Sequence, residues 1–285
     1  MKKYSSIIFI FFATMSIAQP VRLHFMGGFA NYNGDLQQKR FTLQQAKGAI
    51  GVGATFNLTD HLAGRADVAF GLVGADDKRS TKPALISRNL NFTSRIYEVS
   101  LLGEYDILNL NEHKLSPYVF IGIGLFHFNP YTTDPAGNKI YLSGLSTEGQ
   151  GILPWKKDYK RTDFNIPLGA GIKYALSDDV HVGFEIGLRV LKTDYLDDVS
   201  NAYVDQNTLL AARGQMAVHY AFRGDELKNN PSSYPPGGTV RGNNKVNDFY
   251  YFGLFRVDFR LNWFDNGRRD SGSSSRRSLN CPTKF

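Results

Sequence analysis

The clearest structural pattern in the sequence is VHVGFEIGLRVL at residues 180–191. Every second residue is valine, phenylalanine, isoleucine or leucine, while His181, Glu185 and Arg189 alternate with glycine between them. A β-strand with this period presents one apolar face and one polar face. A tilted strand of 9–11 residues crosses a bilayer, so this stretch is long enough. It therefore predicts a membrane-spanning β-strand.

Seven further segments alternate in the same way, although 117–128 is apolar on both faces. They are 21–30, 47–58, 62–74, 95–106, 117–128, 164–176 and 249–264. Together with the stretch above they make eight predicted strands. An even number of strands is what a bacterial outer-membrane barrel requires.

The connections between these strands differ in length in a regular way. The short ones are 59–61, 107–116 and 177–179, and the long ones are 31–46, 75–91, 129–163 and 192–247. Long and short connections alternate along the chain, as in barrels with short periplasmic turns and long outer loops. A secreted soluble β-sandwich has no reason to sort its loops in this way. We therefore predict an all-β fold, an eight-stranded antiparallel transmembrane β-barrel (OmpA-like) in contact with outer-membrane lipids.

Aromatic residues end the predicted outward faces at Tyr105, Tyr174, Tyr251 and Trp263. Tyrosine and tryptophan favour the boundary between lipid and water. These four residues are therefore expected in the interfacial girdle of the barrel.

The two ends of the chain differ from the strands. Two lysines, an apolar core at 7–17 and a small residue at Ala18 have the pattern of a secretory signal peptide over residues 1–18. We expect cleavage after Ala18, with the barrel in 19–264. Residues 265–285 form a Ser-rich tail of formal charge +3, with five basic and two acidic residues. By the predicted topology this tail is periplasmic, where it is either a docking segment or a disordered extension.

Composition excludes several classes of protein. The formal charge of +7 is mild and never clustered, which argues against a nucleic-acid partner. A mean hydropathy of −0.29 excludes a polytopic helical membrane protein. The single cysteine, Cys281, excludes a disulfide framework and a cysteine-based zinc site. By contrast, 28 Gly, 21 Phe and 15 Tyr are typical of closely packed β-structure.

Charged residues on the predicted inward faces are balanced, five of each sign. They are Arg65, Asp67, Glu98, Glu104, Lys173, Glu185, Arg189, Arg256, Asp258 and Arg260. Side chains can fill an eight-stranded barrel, and buried charges must be paired. Glycines on the same faces leave room for the long side chains. The balance favours a plugged lumen over a conducting pore, because a selective channel more often has one dominant sign.

No motif for catalysis, a metal or a cofactor is evident, so we expect a non-enzymatic protein. None of the six histidines has the H-E-x-x-H or H-x-x-x-H spacing of a helical zinc site. Asp194, Asp197 and Asp198 are candidates for calcium, but they lack the spaced oxygen ligands and glycine of an EF-type loop. Capping and solvation of their own loop is the favoured role.

The fourth long loop contains a second type of structure. Leu209, Ala212, Met216 and Tyr220 have helical spacing, which predicts a helix over 208–222 that lies against the barrel mouth. Prolines and glycines in 229–244 indicate an irregular segment.

Several loop stretches, taken together, resemble a known family. They are Ser116-Pro117-Tyr118-Val119, Phe126-His127-Phe128-Asn129-Pro130, Leu145-Ser146-Thr147-Glu148-Gly149-Gln150-Gly151, Phe164-Asn165-Ile166-Pro167-Leu168-Gly169 and Thr193-Asp194-Tyr195-Leu196-Asp197-Asp198-Val199-Ser200. Their order resembles the PorG-like β-barrel family of Bacteroidetes, part of the type IX secretion system and its gliding machinery. The resemblance is strongest from Leu101 to Ser200, and the 193–200 string is its most specific part. The 56-residue fourth loop departs from the family pattern.

The resemblance implies an integral outer-membrane protein that contacts a periplasmic ring, formed by a lipoprotein and its partner. The candidate contact residues lie in the short turns and the tail. They are Asp60, His61, Glu112, His113, Asp178, Asp179, Arg268, Arg269, Arg276 and Arg277. Two other functions stay open, an envelope tether or adhesin acting through the outer loops, and a small-solute channel.

Overall fold

A computed structural model describes residues 21–37, 39–228 and 232–261. The predicted signal peptide, the tail and Trp263 lie outside the described residues. The strands of the described residues are numbered β1 to β10 in chain order, and eight long ones form the barrel. They are β1 (Val21–Asn33), β2 (Lys47–Asn57), β3 (Leu62–Asp76), β4 (Asn91–Asp106), β5 (Leu115–His127), β8 (Thr162–Ala175), β9 (Val180–Leu191) and β10 (Phe249–Arg260).

The barrel is closed and entirely antiparallel. Each long strand pairs with its neighbours in chain order, and β10 returns to pair with β1. Phe25 on β1, for example, lies opposite Val257 on β10 and opposite Val52 on β2. Closure leaves no unpaired strand edge, which a sheet in lipid cannot tolerate. The predicted eight-stranded antiparallel barrel is confirmed.

A small hairpin adds to one end of the barrel. It consists of β6 (Pro130–Thr133) and β7 (Lys139–Tyr141), and β6 pairs with Ser94 and Thr93 of β4. The sequence predicts a loop in place of this hairpin, and it predicts a start of β4 four residues after the observed one. Strands of four and three residues are too short for alternation to identify.

Side chains alternate between the lumen and the outside. On the outside, Phe25 and Ile123 have exposed fractions of 58% and 63%, and apolar side chains surround the ring. Polar and charged side chains fill the inside and are buried. An apolar outer wall around a polar interior is the construction of an outer-membrane β-barrel.

The long loops fold together over one end of the barrel as a loop cap, which we define as the described residues of 34–46, 77–90, 128–161 and 192–248. Three short helices belong to it, α1 (Pro83–Arg88), α2 (Gln206–Arg213) and α3 (Gln215–Ala221). Among the described residues, no helix is both long and apolar enough to span a bilayer. A buried cluster joins the loop cap to the lumen. Its larger members include Tyr32, Leu36, Phe92, Phe128, Leu142, Leu196 and Tyr250.

The predicted helix over 208–222 is wrong as a continuous element. Gly214 separates α2 from α3 because its backbone has φ +79° and ψ −179°. Glycine adopts this conformation, whereas residues with a Cβ atom rarely do. Helical spacing continued through the break, so the side-chain pattern alone could not reveal it.

The predicted girdle is only partly exposed. Tyr105 and Tyr174 lie on the outer surface, as expected. Tyr251 has the outward orientation but is only 4% exposed, because the β1–β2 loop covers it. Its hydroxyl donates to Thr42 O and accepts from Thr42 N at 2.9 Å, and Phe41 packs against its ring.

Candidate functional site

Arg65 on β3 lies at the centre of a buried charge network in the lumen. Its Nη1 donates to Glu185 on β9 at 2.8 Å and to Glu104 on β4 at 3.0 Å, and its Nη2 donates to Asp67. Asp67 also lies 2.9 Å from Nε2 of His24 on β1. One guanidinium thus connects carboxylates from three strands.

Glu104 continues the network toward the short turns. It accepts hydrogen bonds from Lys173 and, at 3.0 Å, from Arg256. Arg256 Nε donates to Asp258 at 2.8 Å, and Lys173 Nζ donates to Asp106 at 2.8 Å. Each buried charge here has an opposite charge within hydrogen-bond distance, as burial requires.

A second group of polar side chains lies nearer the loop cap. Arg189 donates to Glu98 at 3.1–3.2 Å. Glu98 also accepts from the Tyr250 hydroxyl at 2.6 Å and from Asn165 at 2.9 Å. These side chains fill the lumen between the Arg65 network and the loop cap.

The lumen is filled because glycines leave space for these side chains. A Cβ atom on Gly53 would lie 2.4 Å from Asp67 Oδ1 and 2.5 Å from His24 Nε2. One on Gly187 would lie 2.4 Å from Arg189 Nη1. Nine of the ten charged residues that the sequence placed in the lumen are 1–5% exposed. The exception is half-buried Arg260, which lines the lumen where it opens between the short turns.

Sequence reasoning missed several members of the network. The register of β1 is uncertain from the sequence alone, so His24 could not be assigned to the lumen. Asp106 ends β4 on the same face as Glu98 and Glu104, so the alternation along this strand could have placed it in the lumen. Tyr118 donates its hydroxyl to Glu185 at 2.7 Å, but β5 is apolar on both faces and its inward side could not be recognised. Knowing which residues of β1 and β5 face the lumen would have identified His24 and Tyr118.

The lumen opens at the end that carries the three short turns, which we call the short-turn mouth. A cavity of about 590 Å³ lies there, lined by polar and charged side chains. The structure brings the candidate contact residues Asp60, Glu112 and Asp178 to this end, each exposed on a different turn. The other seven candidate contact residues belong to the turns or to the tail. His61, His113 and Asp179 are on the same three turns, and Arg268, Arg269, Arg276 and Arg277 are outside the described residues.

The family-motif loop, Thr193 to Asp198, lies at the opposite end, where much of it is buried in the loop cap. Asp197 accepts from Val199 N at 2.8 Å and from the Tyr32 hydroxyl. Asp198 accepts from the hydroxyl of Tyr159 at 2.8 Å. These aspartates hold their own loop and its neighbours in place.

A buried ion pair links the loops of the cap to one another. Arg241 donates to Glu148 at 3.1 Å, and Lys156 donates to the same carboxylate at 2.9 Å. Burial alone would raise the pKa of Glu148, but Arg241 and Lys156 hold this pKa below its ordinary value. Glu148 also accepts from Ser200 N at 2.9 Å, which fixes the end of the motif loop.

Two carboxylates of the loop cap have no cation beside them among the described residues. Among the described residues, no lysine, arginine or histidine lies within 4.0 Å of Asp194 or Asp248, and one oxygen of each has no hydrogen-bond partner. Burial raises the pKa of Asp194 to about 7 and that of Asp248 well above its ordinary value. Burial also raises the pKa of Asp198 to about 6, although Arg241 opposes the shift. Nowhere in the described ranges do three histidine, cysteine or acidic residues come together as a metal site.

The chain matches one family model, described as "Domain of unknown function (DUF6089)", over residues 1–230. No curated protein sequence matches it. Solved structures with a similar fold include Neisserial surface protein A (NspA), with a TM-score of 0.42 and 10% identity over 85% of this chain and 97% of that one. Ail of Yersinia pestis has a TM-score of 0.38 and 9% identity over 85% and 97% of the two chains. A major outer membrane protein from Thermus thermophilus has a TM-score of 0.41 and 13% identity over 86% and 100%.

Proposed function

We propose that this chain, which belongs to the DUF6089 family, is a non-enzymatic outer-membrane component of the type IX secretion and gliding machinery. In this role it anchors a periplasmic ring, formed by a lipoprotein and its partner, to the outer membrane. The sequence resemblance of the 193–200 string and its companion loops supports the choice of machinery. The long loops then face the outside of the cell and the short turns face the periplasm.

The filled lumen is the observation that carries an anchoring role. Arg65 contacts both Glu104 and Glu185 across the centre of the barrel, and all three side chains are almost fully buried. A lumen occupied by paired side chains offers no passage for a secreted chain. It gives a rigid body in the membrane, whose function must lie at its two ends.

The short-turn mouth supplies a surface of the kind that the periplasmic ring would need. Its three turns expose Asp60, Glu112 and Asp178 around a polar cavity. The turns are held by hydrogen bonds to the barrel, since His61 Nδ1 lies 2.8 Å from Asp106 O. A preorganised surface loses less conformational entropy on binding than a mobile one.

Co-purification from detergent-solubilised outer membranes tests this proposal. We expect the ring lipoprotein and its partner to be recovered with the tagged full-length chain. Two variants locate the contact, one that lacks Arg268–Phe285 and one with the three short turns replaced by Gly-Ser turns of equal length. If secretion and co-purification survive in both variants, periplasmic docking is wrong.

An adhesin or envelope tether is the second candidate, and the loop cap favours it. The loop cap is a folded surface rather than a set of separate loops, and Trp155 on it is 79% exposed. Aromatic residues are enriched where proteins bind one another. If this candidate is right, Trp155→Ala should abolish surface attachment and leave secretion intact. If the variant keeps both surface attachment and secretion, the ring anchor is favoured.

A further inference from the structure

Two arginines in the cavity of the short-turn mouth have no carboxylate partner. Arg22 on β1 and Arg260 on β10 lie directly opposite each other, and both line the cavity. Within the part of the chain that the structure describes, neither guanidinium is within 4.0 Å of an aspartate or glutamate side chain. Like charges directly opposite on paired strands destabilise a sheet. In the network deeper in the lumen, each charge has a partner of opposite sign. Arg22 and Arg260 lack such a partner, and a bound anionic group would supply it.

Arg22 is held in a fixed position although it has no ion-pair partner among the described residues. Its Nη2 donates to the main-chain oxygen of Asp178 at 2.8 Å, and its Nη1 reaches that of Asp179 at 3.4 Å. Its Nε is buried and has no hydrogen-bond partner among the described residues. The β8–β9 turn therefore orients the guanidinium while engaging only two of its five N–H donors.

The acidic residues of the cavity that the structure describes form no ion pair with these two arginines. Asp106 is bound to Lys173 and Asp258 to Arg256, each at 2.8 Å. Asp60 and Asp178 are exposed on turns at the rim. The inner wall thus has an excess of positive charge, and the rim carries negative charge.

We propose that Arg22 and Arg260 form a carboxylate-binding site, which takes an acidic side chain carried by a peptide segment of the periplasmic partner. The fork of an arginine fits both oxygens of a carboxylate. A cavity of about 590 Å³ accommodates a short segment and not only a single ion. Basic residues beside the acidic one would face Asp60 and Asp178 at the rim. The identity of the partner rests on the proposed function, whereas the ligand chemistry does not.

Peptide binding to the full-length barrel, refolded in detergent micelles, tests the site. The probe is a blocked pentapeptide with a central glutamate, flanked by two glycines and ended by two lysines. The reference peptide has glutamine in place of the glutamate, and inorganic phosphate is a third probe. We expect the glutamate peptide to bind at least about tenfold more tightly than the glutamine peptide, since it gains charge-assisted hydrogen bonds.

Three variants assign the effect to the two arginines. Arg22→Gln and Arg260→Gln should each remove most of the difference between the peptides. Arg40→Gln, in the exposed β1–β2 loop at the other end, should leave this difference unchanged. Loss of Arg260 also removes a repulsion, so its variant should unfold at the same temperature as the parent chain or higher. A lower unfolding temperature would instead indicate a purely structural role.

Equal affinity for the two peptides overturns the site, as does binding of phosphate as tight as that of the glutamate peptide. This result is separable from a failure of the proposed function. If the peptides are not distinguished but the ring still co-purifies, the carboxylate site is wrong and the anchor stands. If the peptides are distinguished but no ring protein co-purifies, the site stands and the anchor is wrong.

Discussion

Arg65 and Glu185 form an ion pair across the lumen, with Nη1 2.8 Å from Oε2, although 120 residues separate them in the chain. Arg65 is on β3 and Glu185 is on β9, which are four positions apart around the ring of eight strands. They therefore face each other from opposite walls. The contact ties the two halves of the barrel together and occupies the centre of the lumen.

Removing one member of this pair should be costly. Arg65→Gln leaves Glu185 and Asp67 short of a charged partner in a buried site, so we expect the free energy of unfolding to fall by about 3–5 kcal/mol. Urea unfolding in detergent micelles measures the change. Lys78→Gln, on an exposed loop, should be neutral. Adding Glu185→Gln to Arg65→Gln should restore part of the loss, and no restoration would mean that the two residues are not coupled.

Two glycines distinguish a filled lumen from an open one. Gly53→Ala places a methyl group against Asp67 and His24, and we expect a loss of about 1–3 kcal/mol from overpacking. Gly64→Ala points to open space on the lipid side and should not destabilise the barrel. Comparing the unfolding midpoints of these matched variants provides the check. Equal midpoints would show that the space beside Gly53 is empty.

The filled lumen also predicts that the barrel does not conduct ions. The reconstituted protein should show no steady single-channel conductance, because paired side chains occupy the path of an ion. Glu185→Gln exchanges a charge for a neutral group of similar volume and Arg189→Gln exchanges one for a somewhat smaller neutral group, so neither variant should conduct ions. A steady conductance that changes with these substitutions would support the channel alternative.

The loop cap should be more stable at mildly acidic pH. Burial raises the pKa of Asp198 to about 6 and that of Asp194 to about 7, above the values near 3.9 of unfolded chains. The folded state thus binds more protons, and stability is lost as pH rises from about 4 to 7. We expect amide hydrogen exchange in 193–200, corrected for its intrinsic pH dependence, to show about tenfold or greater protection at pH 5 relative to pH 8.

Asp194→Asn is the control for this pH dependence. Asparagine cannot ionise, so the variant should lose part of the difference between pH 5 and pH 8 and be better protected at pH 8. Protection that is independent of pH in the parent chain would show that these carboxylates are not buried as described.

The barrel could be predicted from the sequence because its wall obeys a period of two. Lipid outside and packed charges inside force alternation along strands such as 180–191, and this pattern survives in a single sequence. Most charged members of the network could be named for the same reason, although His24 and Asp106 were missed. Their partners could not, since the Arg65–Glu185 contact depends on strand order and register around a closed ring.

The loop cap was harder to predict because apolar and polar residues do not alternate regularly in its sequence. The 193–200 string stood out as a motif, but its contacts with Tyr32 and Tyr159 bring together distant parts of the chain. The break at Gly214 depends on one backbone conformation that leaves the helical spacing intact. The unpaired arginines of the short-turn mouth were equally hidden, because only the register of β1 against β10 places Arg22 opposite Arg260.

Site-specific photocrosslinking in living cells tests the anchoring role most directly. A photoreactive amino acid would replace Asp60, Glu112 or Asp178 at the short-turn mouth, with Trp155 on the loop cap as the control position. We predict adducts with the ring lipoprotein or its partner, identified by mass spectrometry, from the short-turn positions and none from the control. Ring adducts from the loop cap alone, or no ring adduct at any position, would contradict the anchor.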